Sequence, residues 1–143
     1  AWRSGGLKTE IYENIEQLIW EKLLCNVTLS GPCSIFGCNV KELYNNEEYW
    51  TFALNCMQEA YSVGLAIGVP FSFEDPVVYV SDFAKRVGSA KPSMLQDFES
   101  KKKTEIDFIN GAIPPLAAKS KIPTPFNDHV CRIIYDAERQ IKS

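Results

Sequence analysis

Apolar residues recur along this chain at intervals of three and four, the spacing of helices that bury one face. Between about Glu10 and Leu29, Ile11, Ile15, Leu18 and Ile19 form one stripe, with Glu13, Asn14, Gln17 and Glu21 on the other side. The pattern predicts a helix that ends near Gly31-Pro32, where a missing backbone donor ordinarily stops one. A second long helix is predicted from about Asn46 to Ile67, with Trp50, Leu54, Met57, Tyr61 and Leu65 facing inward, before Gly68-Val69-Pro70 breaks it. Pro76 to Val87 carries two signals. Val77-Val78-Tyr79-Val80 has strand propensity, yet Asp75-Pro76 reads as an N-cap with a first-turn proline, and Val80, Phe83, Ala84 and Val87 keep helical spacing, which favours a helix.

Ser93-Met94-Leu95-Gln96 has the form of a capping box opening a short helix to about Lys102, and Thr104-Glu105-Ile106-Asp107 that of a looser one. Beyond it Ile106, Ile109, Ile113 and Leu116 repeat helically, but Pro114-Pro115 removes two backbone donors and predicts a kink or split near Gly111-Ala112. The last helix is expected after Thr124-Pro125, with Val130, Ile134, Ala137 and Ile141 inward. Lys101-Lys102-Lys103 is the one charge run and reads as solvated surface. The pattern as a whole predicts one all-α, single helical-bundle domain over residues 1–143.

Composition narrows the function. With 143 residues, 45% hydrophobic and 23% charged, the chain is long and apolar enough to bury a core, which excludes a disordered tail. Fifteen basic against eighteen acidic side chains give a net charge of -3, so nucleic acid and anionic membrane surfaces are not expected partners. No run of about eighteen apolar residues is present, and the opening Ala1-Trp2-Arg3 has no signal-peptide character. Cys25, Cys33, Cys38, Cys56 and Cys131 are an odd set without a C-x-x-C pair, beside a single histidine, His129, so no metal site is expected and reduced thiols in a cytoplasmic setting fit best. The sequon Asn26-Val27-Thr28 is read as chance in such a chain.

Two polar residues stand where the first helix should be apolar. At 100° per residue, with Ile15 at zero, Lys22 falls at about 340° and Asn26 at about 20°, between Leu18 and Ile19. Burying an ammonium there would cost several kcal/mol and lower its pKa. Either Lys22 reaches solvent or a structural carboxylate partner, or it is a positioned proton donor with an amide one turn on. Glu105 has a similar pair of readings, as a carboxylate complementing a helix dipole or as a site residue. Asn110, on the apolar side of its segment, reads as a partner for buried backbone, and Ser93 alone reads as a cap. His129 carries no catalytic argument.

Trp20-Glu21-Lys22-Leu23-Leu24-Cys25-Asn26, Glu42-Leu43, Ser93-Met94-Leu95-Gln96-Asp97, Thr104-Glu105-Ile106-Asp107-x-x-Asn110-Gly111 and Pro123-Thr124-Pro125-x-Asn127 occur in an order and spacing that resemble the C-terminal domain of the ketopantoate reductases. The resemblance covers nearly the whole chain. It implies an all-α domain of the 6-phosphogluconate dehydrogenase C-terminal-like type that closes over an N-terminal Rossmann domain and supplies most substrate contacts. It also implies reduction of 2-dehydropantoate (ketopantoate) to pantoate with NADP, on the way to pantothenate and coenzyme A. By position, Lys22 matches the family's proton donor and Asn26 and Ser93 its substrate contacts. Glu105 matches a glutamate near the substrate hydroxyl, the lysine and the nicotinamide, and could orient Lys22 and hold it charged. A homodimer is a further possible partner.

The chain also departs from that pattern. Ser30 replaces an asparagine four residues after Asn26, which bears on which 2-oxo acid is bound. Asn39 is displaced by one position within Gly37-Cys38-Asn39-Val40-Lys41-Glu42-Leu43, so no role is carried to it. No G-x-G-x-x-G follows a strand, so the chain alone should not bind NADP and should be inactive in isolation. Two other readings stand beside this one: a helical association or small-acid-binding module without chemistry, and a reductase of another 2-oxo acid.

Overall fold

The computed structural model describes residues 2–142, with side chains from 15 to 140. All regular structure among the described residues is helical. Among the described residues seven α-helices, α1 (Trp2–Phe36), α2 (Val40–Asn45), α3 (Glu47–Ala66), α4 (Pro76–Val87), α5 (Ser93–Glu99), α6 (Ile113–Lys119) and α7 (Pro125–Lys142), pack around a main hydrophobic cluster and a smaller one, with 3-10 turns at Ile106–Phe108 and Asn110–Ala112. The all-α expectation holds.

The first helix differs from the sequence reading in its end and in its face. It does not stop at Gly31-Pro32 but runs through Pro32 to Phe36. Hydroxyl donors bracket the proline: Thr28 Oγ1 donates to the Leu24 carbonyl at 2.6 Å and Ser34 Oγ to the Ser30 carbonyl at 2.7 Å. Gly31 is there for close packing rather than as a stop, since a Cβ at this position would lie 2.3 Å from Asn110 Oδ1. Of the stripe predicted to be core, Ile15 at 51%, Leu18 at 65% and Ile19 at 59% are exposed, while the side chain of Ile11 lies outside the described residues. The buried face carries Trp20, Leu24, Cys25 and Val27, with Leu24 directly opposite Ile15 on the wheel. Glu21, placed on the polar side by the sequence reading, is buried and accepts bonds from the Ser72 amide (2.8 Å) and hydroxyl (3.0 Å).

Against this face packs α3, through small residues. Ala53, Cys56, Met57, Ala60, Val63 and Gly64 are its buried set, while Trp50, Leu54 and Tyr61 are half-buried and Leu65 is exposed. The predicted inward stripe therefore holds at Met57, which is buried, and at Trp50, Leu54 and Tyr61, which pack against the core, and fails at Leu65. The large side chains flank the contact and the small ones form it, because the two backbones approach closely: a Cβ on Gly64 would meet the Phe71 ring at 2.6 Å and Trp20 at 3.3 Å. For α4 the prediction holds, with Asp75 accepting from the Val77 amide at 2.9 Å, Pro76 in the first turn, and Val80 and Ala84 buried. The split before Pro114-Pro115 also holds: two 3-10 turns precede α6, and the prolines open that helix where their missing donors cost nothing. In α7, Val130 and Ile134 are buried and Ala137 half-buried, while the side chain of Ile141 lies outside the described residues.

All five cysteines are free and buried. Burial pushes the Cys25 and Cys131 thiols from 9.0 up to about 11. Below pH 9 both are neutral whether folded or not. Between 9 and 11 the unfolded chain ionises first, so the stabilisation is lost as pH rises through that window. Urea unfolding should show a lower midpoint at pH 10 than at pH 8; an unchanged midpoint would contradict the raised thiols.

Candidate functional site

Lys22, Asn26 and Ser30 are spaced by four residues on α1, so their side chains follow one another along one face at a rise of about 6 Å each. Burial increases along that row. Lys22 is exposed, Asn26 half-buried and Ser30 buried. This corrects the expectation of an ammonium embedded in a core: the stripe Lys22 interrupts is itself an exposed face of α1, with Ile15, Leu18 and Ile19 beside it. Lys22 forms no ion pair or hydrogen bond among the described residues.

The inner end of the row opens into a cleft of about 190 Å³. Leu29 and Ser30 of α1, Val40 of α2, Phe83 and Val87 of α4, and the segment Ala90-Lys91-Pro92-Ser93 line it together with Asn26. Its volume is below the roughly 300–1,000 Å³ of drug-sized sites, which suits a small metabolite better than a nucleotide. Leu29, Val40, Phe83 and Val87 make an apolar wall, and Asn26, Ser30 and Ser93 supply neutral hydrogen-bonding groups.

Ser93 is not the cap its sequence suggests. Pro92 occupies the N-cap position, Ser93 is the first residue of α5, and no side chain caps that end. Gln96 does not complete a capping box either; its Nε2 donates to the Lys91 carbonyl at 3.0 Å, which shapes the approach to Ser93. The helix also ends at Glu99, short of Lys102, where Lys101 turns to a φ of 59°. The side chains of Asn26, Ser30 and Ser93 all lack a hydrogen-bond partner among the described residues. Three neutral polar groups with bonds to give therefore meet on one small cleft.

Asn110 is wholly buried and structural, as its pattern suggested. Its Nδ2 donates to the Val27 carbonyl at 3.1 Å and to Asn127 Oδ1 at 2.9 Å. Asn127 in turn donates to the Cys56 carbonyl at 3.0 Å and to Glu59 at 2.8 Å. This network ties α1, α3 and α7 together through Val27, the residue next to Asn26. Asn39, given no site role, caps α2 by accepting from the Glu42 amide at 2.8 Å.

Glu105 stands apart from the cleft. It is exposed, precedes the first 3-10 turn beside an 80%-exposed Phe108, and makes no ion pair with Lys22 among the described residues. Thr104, read as its helix cap, is buried; its hydroxyl accepts from the Ile106 amide at 3.3 Å and donates to Glu138 at 2.6 Å. A larger hollow of about 320 Å³ lies near Lys103, Asp107 and Tyr135, where the Tyr135 hydroxyl donates to Asp107. No group of three or more histidine, cysteine, aspartate or glutamate residues suited to a metal occurs among the described residues.

Sequence reasoning missed α2 and the cleft's apolar wall. The N-x-x-E spacing of Asn39 and Glu42 is the signal that could have found α2. Nothing local to the sequence places Phe83 and Val87 across from Asn26.

Comparison with known proteins shows that residues 14–138 match the family described as ketopantoate reductase PanE/ApbA C terminal. A 2-dehydropantoate 2-reductase of Streptococcus pyogenes serotype M6 is 36% identical over 123 residues, which cover 85% of this chain and 39% of that protein. The chain thus spans about two fifths of the length of such a relative. Among solved structures, a PanE/ApbA family ketopantoate reductase from Ralstonia eutropha JMP134 superposes with a TM-score of 0.82 at 24% identity, covering 89% of this chain and 42% of that one. D-mandelate dehydrogenase in a ternary structure with NADH and anilino(oxo)acetate gives 0.75 at 25% identity, over 87% and 41%. No helix among the described residues is long and apolar enough to cross a membrane.

Proposed function

The chain belongs to the ketopantoate reductase C-terminal family, and on that premise we propose that it is the substrate-binding and proton-donating domain of a cytoplasmic reductase that converts a small 2-oxo acid, ketopantoate first, to the 2-hydroxy acid. One observation carries this reading: Asn26, Ser30 and Ser93 converge on a small cleft without hydrogen-bond partners among the described residues, with Lys22 one turn out on the same row.

The nucleotide does not fit this chain. There is no strand among the described residues and no glycine-rich strand-to-helix turn to cradle a pyrophosphate. NADP, the nucleotide the resemblance implies, is accordingly assigned to an N-terminal Rossmann domain in the remainder of the longer protein. The exposed stripe of Ile15, Leu18 and Ile19 is the face proposed to seat that domain, or a second copy of the chain.

Reduction of a ketone develops negative charge on its oxygen. Lys22 donates a proton to that oxygen and, once the domain above it excludes water, stabilises the charge more in the transition state than in the ground state. Asn26, one turn inward, holds the carbonyl and hydroxyl end of the acid. Ser93 and Ser30 bond further oxygens, and Leu29, Val40, Phe83 and Val87 take the branched carbon chain. Glu105, exposed and unpaired in this chain, approaches Lys22 and the substrate hydroxyl when the site is complete.

Steady-state kinetics of the full-length protein test the assignment. Asn26→Ala and Ser93→Ala should each raise KM for the acid about tenfold, the loss of one hydrogen bond to a charged ligand, with an unchanged melting temperature because neither side chain bonds within the chain. Unchanged KM in both would remove the cleft from the reaction. The D-mandelate dehydrogenase likeness and Ser30 together make other branched or aryl 2-oxo acids the next substrates to assay.

A further inference from the structure

The three neutral groups of the cleft leave one requirement of an acid substrate unmet. They can bond oxygens but cannot neutralise a carboxylate brought against Leu29 and Phe83, and an unpaired charge in such surroundings is costly. Lys22 lies two turns, about 12 Å, along α1 from Ser30 and is committed to the ketone oxygen. Among the residues lining the cleft, Lys91 carries the positive charge.

Its backbone is fixed on the rim from two sides. The Val40 amide donates to the Ala90 carbonyl at 3.2 Å and Gln96 Nε2 to the Lys91 carbonyl at 3.0 Å. Among the described residues its side chain is held by Glu99 alone, with Nζ 3.1 Å from Oε1 and both side chains about half exposed, 53% and 46%. A pair so exposed is readily exchanged for another carboxylate. Resting on the proposed 2-oxo acid function, we infer that Lys91 is the specificity residue that reads the substrate carboxylate, leaving Glu99 as the acid binds and returning to it as the product leaves.

The test uses the full-length protein, a 2-oxo acid that it reduces, and the neutral carboxamide of that acid. Lys91→Met should raise KM for the acid roughly tenfold or more with kcat within about twofold, and leave KM for the carboxamide nearly unchanged. Lys91→Arg should retain most of the affinity. Glu99→Gln, which frees the ammonium, should lower KM for the acid about two- to threefold. Equal changes for acid and carboxamide, or variants indistinguishable from wild type, would overturn the inference while leaving the reductase reading intact. A wild-type protein that reduces no 2-oxo acid would overturn both.

Discussion

Lys22→Ala in the full-length protein is expected to lower kcat for 2-oxo acid reduction by about 10²–10⁴-fold, the usual contribution of a positioned proton donor. The side chain is exposed and has no partner among the described residues, so its removal should shift stability by no more than about 0.5 kcal/mol. That contrast separates chemistry from folding. A scaffold lysine would show the opposite profile, with neutral or slightly improved stability and no loss of turnover. Lys22→Arg keeps the charge but, with a pKa far above the working pH, should donate a proton poorly and recover only part of the rate. Circular dichroism melts beside single-turnover rates would show whether the loss lies in the chemical step.

Gly31→Ala should destabilise the domain by about 2–4 kcal/mol, although alanine is ordinarily the better helix former by about 1 kcal/mol. The new Cβ would fall 2.3 Å from Asn110 Oδ1 and 2.9 Å from Nδ2, closer than any packing allows. Asn110 would have to leave, giving up its bonds to the Val27 carbonyl and Asn127 and stranding both in the core. The expulsion outweighs the propensity gain. A fall in the urea midpoint, with KM for the acid also raised because Asn26 and Ser30 ride on the same stretch of α1, is the expected result. A more stable Gly31→Ala protein would show that α1 and the Asn110 segment are not in contact.

Helix content was legible from spacing and caps, and α4 shows why: Asp75 and Pro76 act locally, so their effect needs no knowledge of the rest of the chain. The face of α1 was not legible, because the helix is apolar on two sides and a wheel cannot say which side meets the core. Lys22 and Asn26 looked misplaced in a core stripe, yet Lys22 is exposed and Asn26 lies half-buried at the cleft, where they suit a site. Gly31-Pro32 reads locally as a stop; only the distant Asn110 explains the glycine, and the helix continues past the proline to Phe36. Ser93 was placed as a possible contact by resemblance and as a cap by spacing, and the shift of the N-cap to Pro92 removes the second reading. Lys22 and Glu105, which the resemblance brings together, form no ion pair among the described residues.

The most direct test of the account is the initial rate of NADPH oxidation by the full-length protein with ketopantoate, beside other branched 2-oxo acids and the isolated 143-residue chain. The account predicts saturable turnover by the full-length protein on at least one of these acids and none by the isolated chain. Absence of turnover on every acid, with NADH as with NADPH, would contradict it.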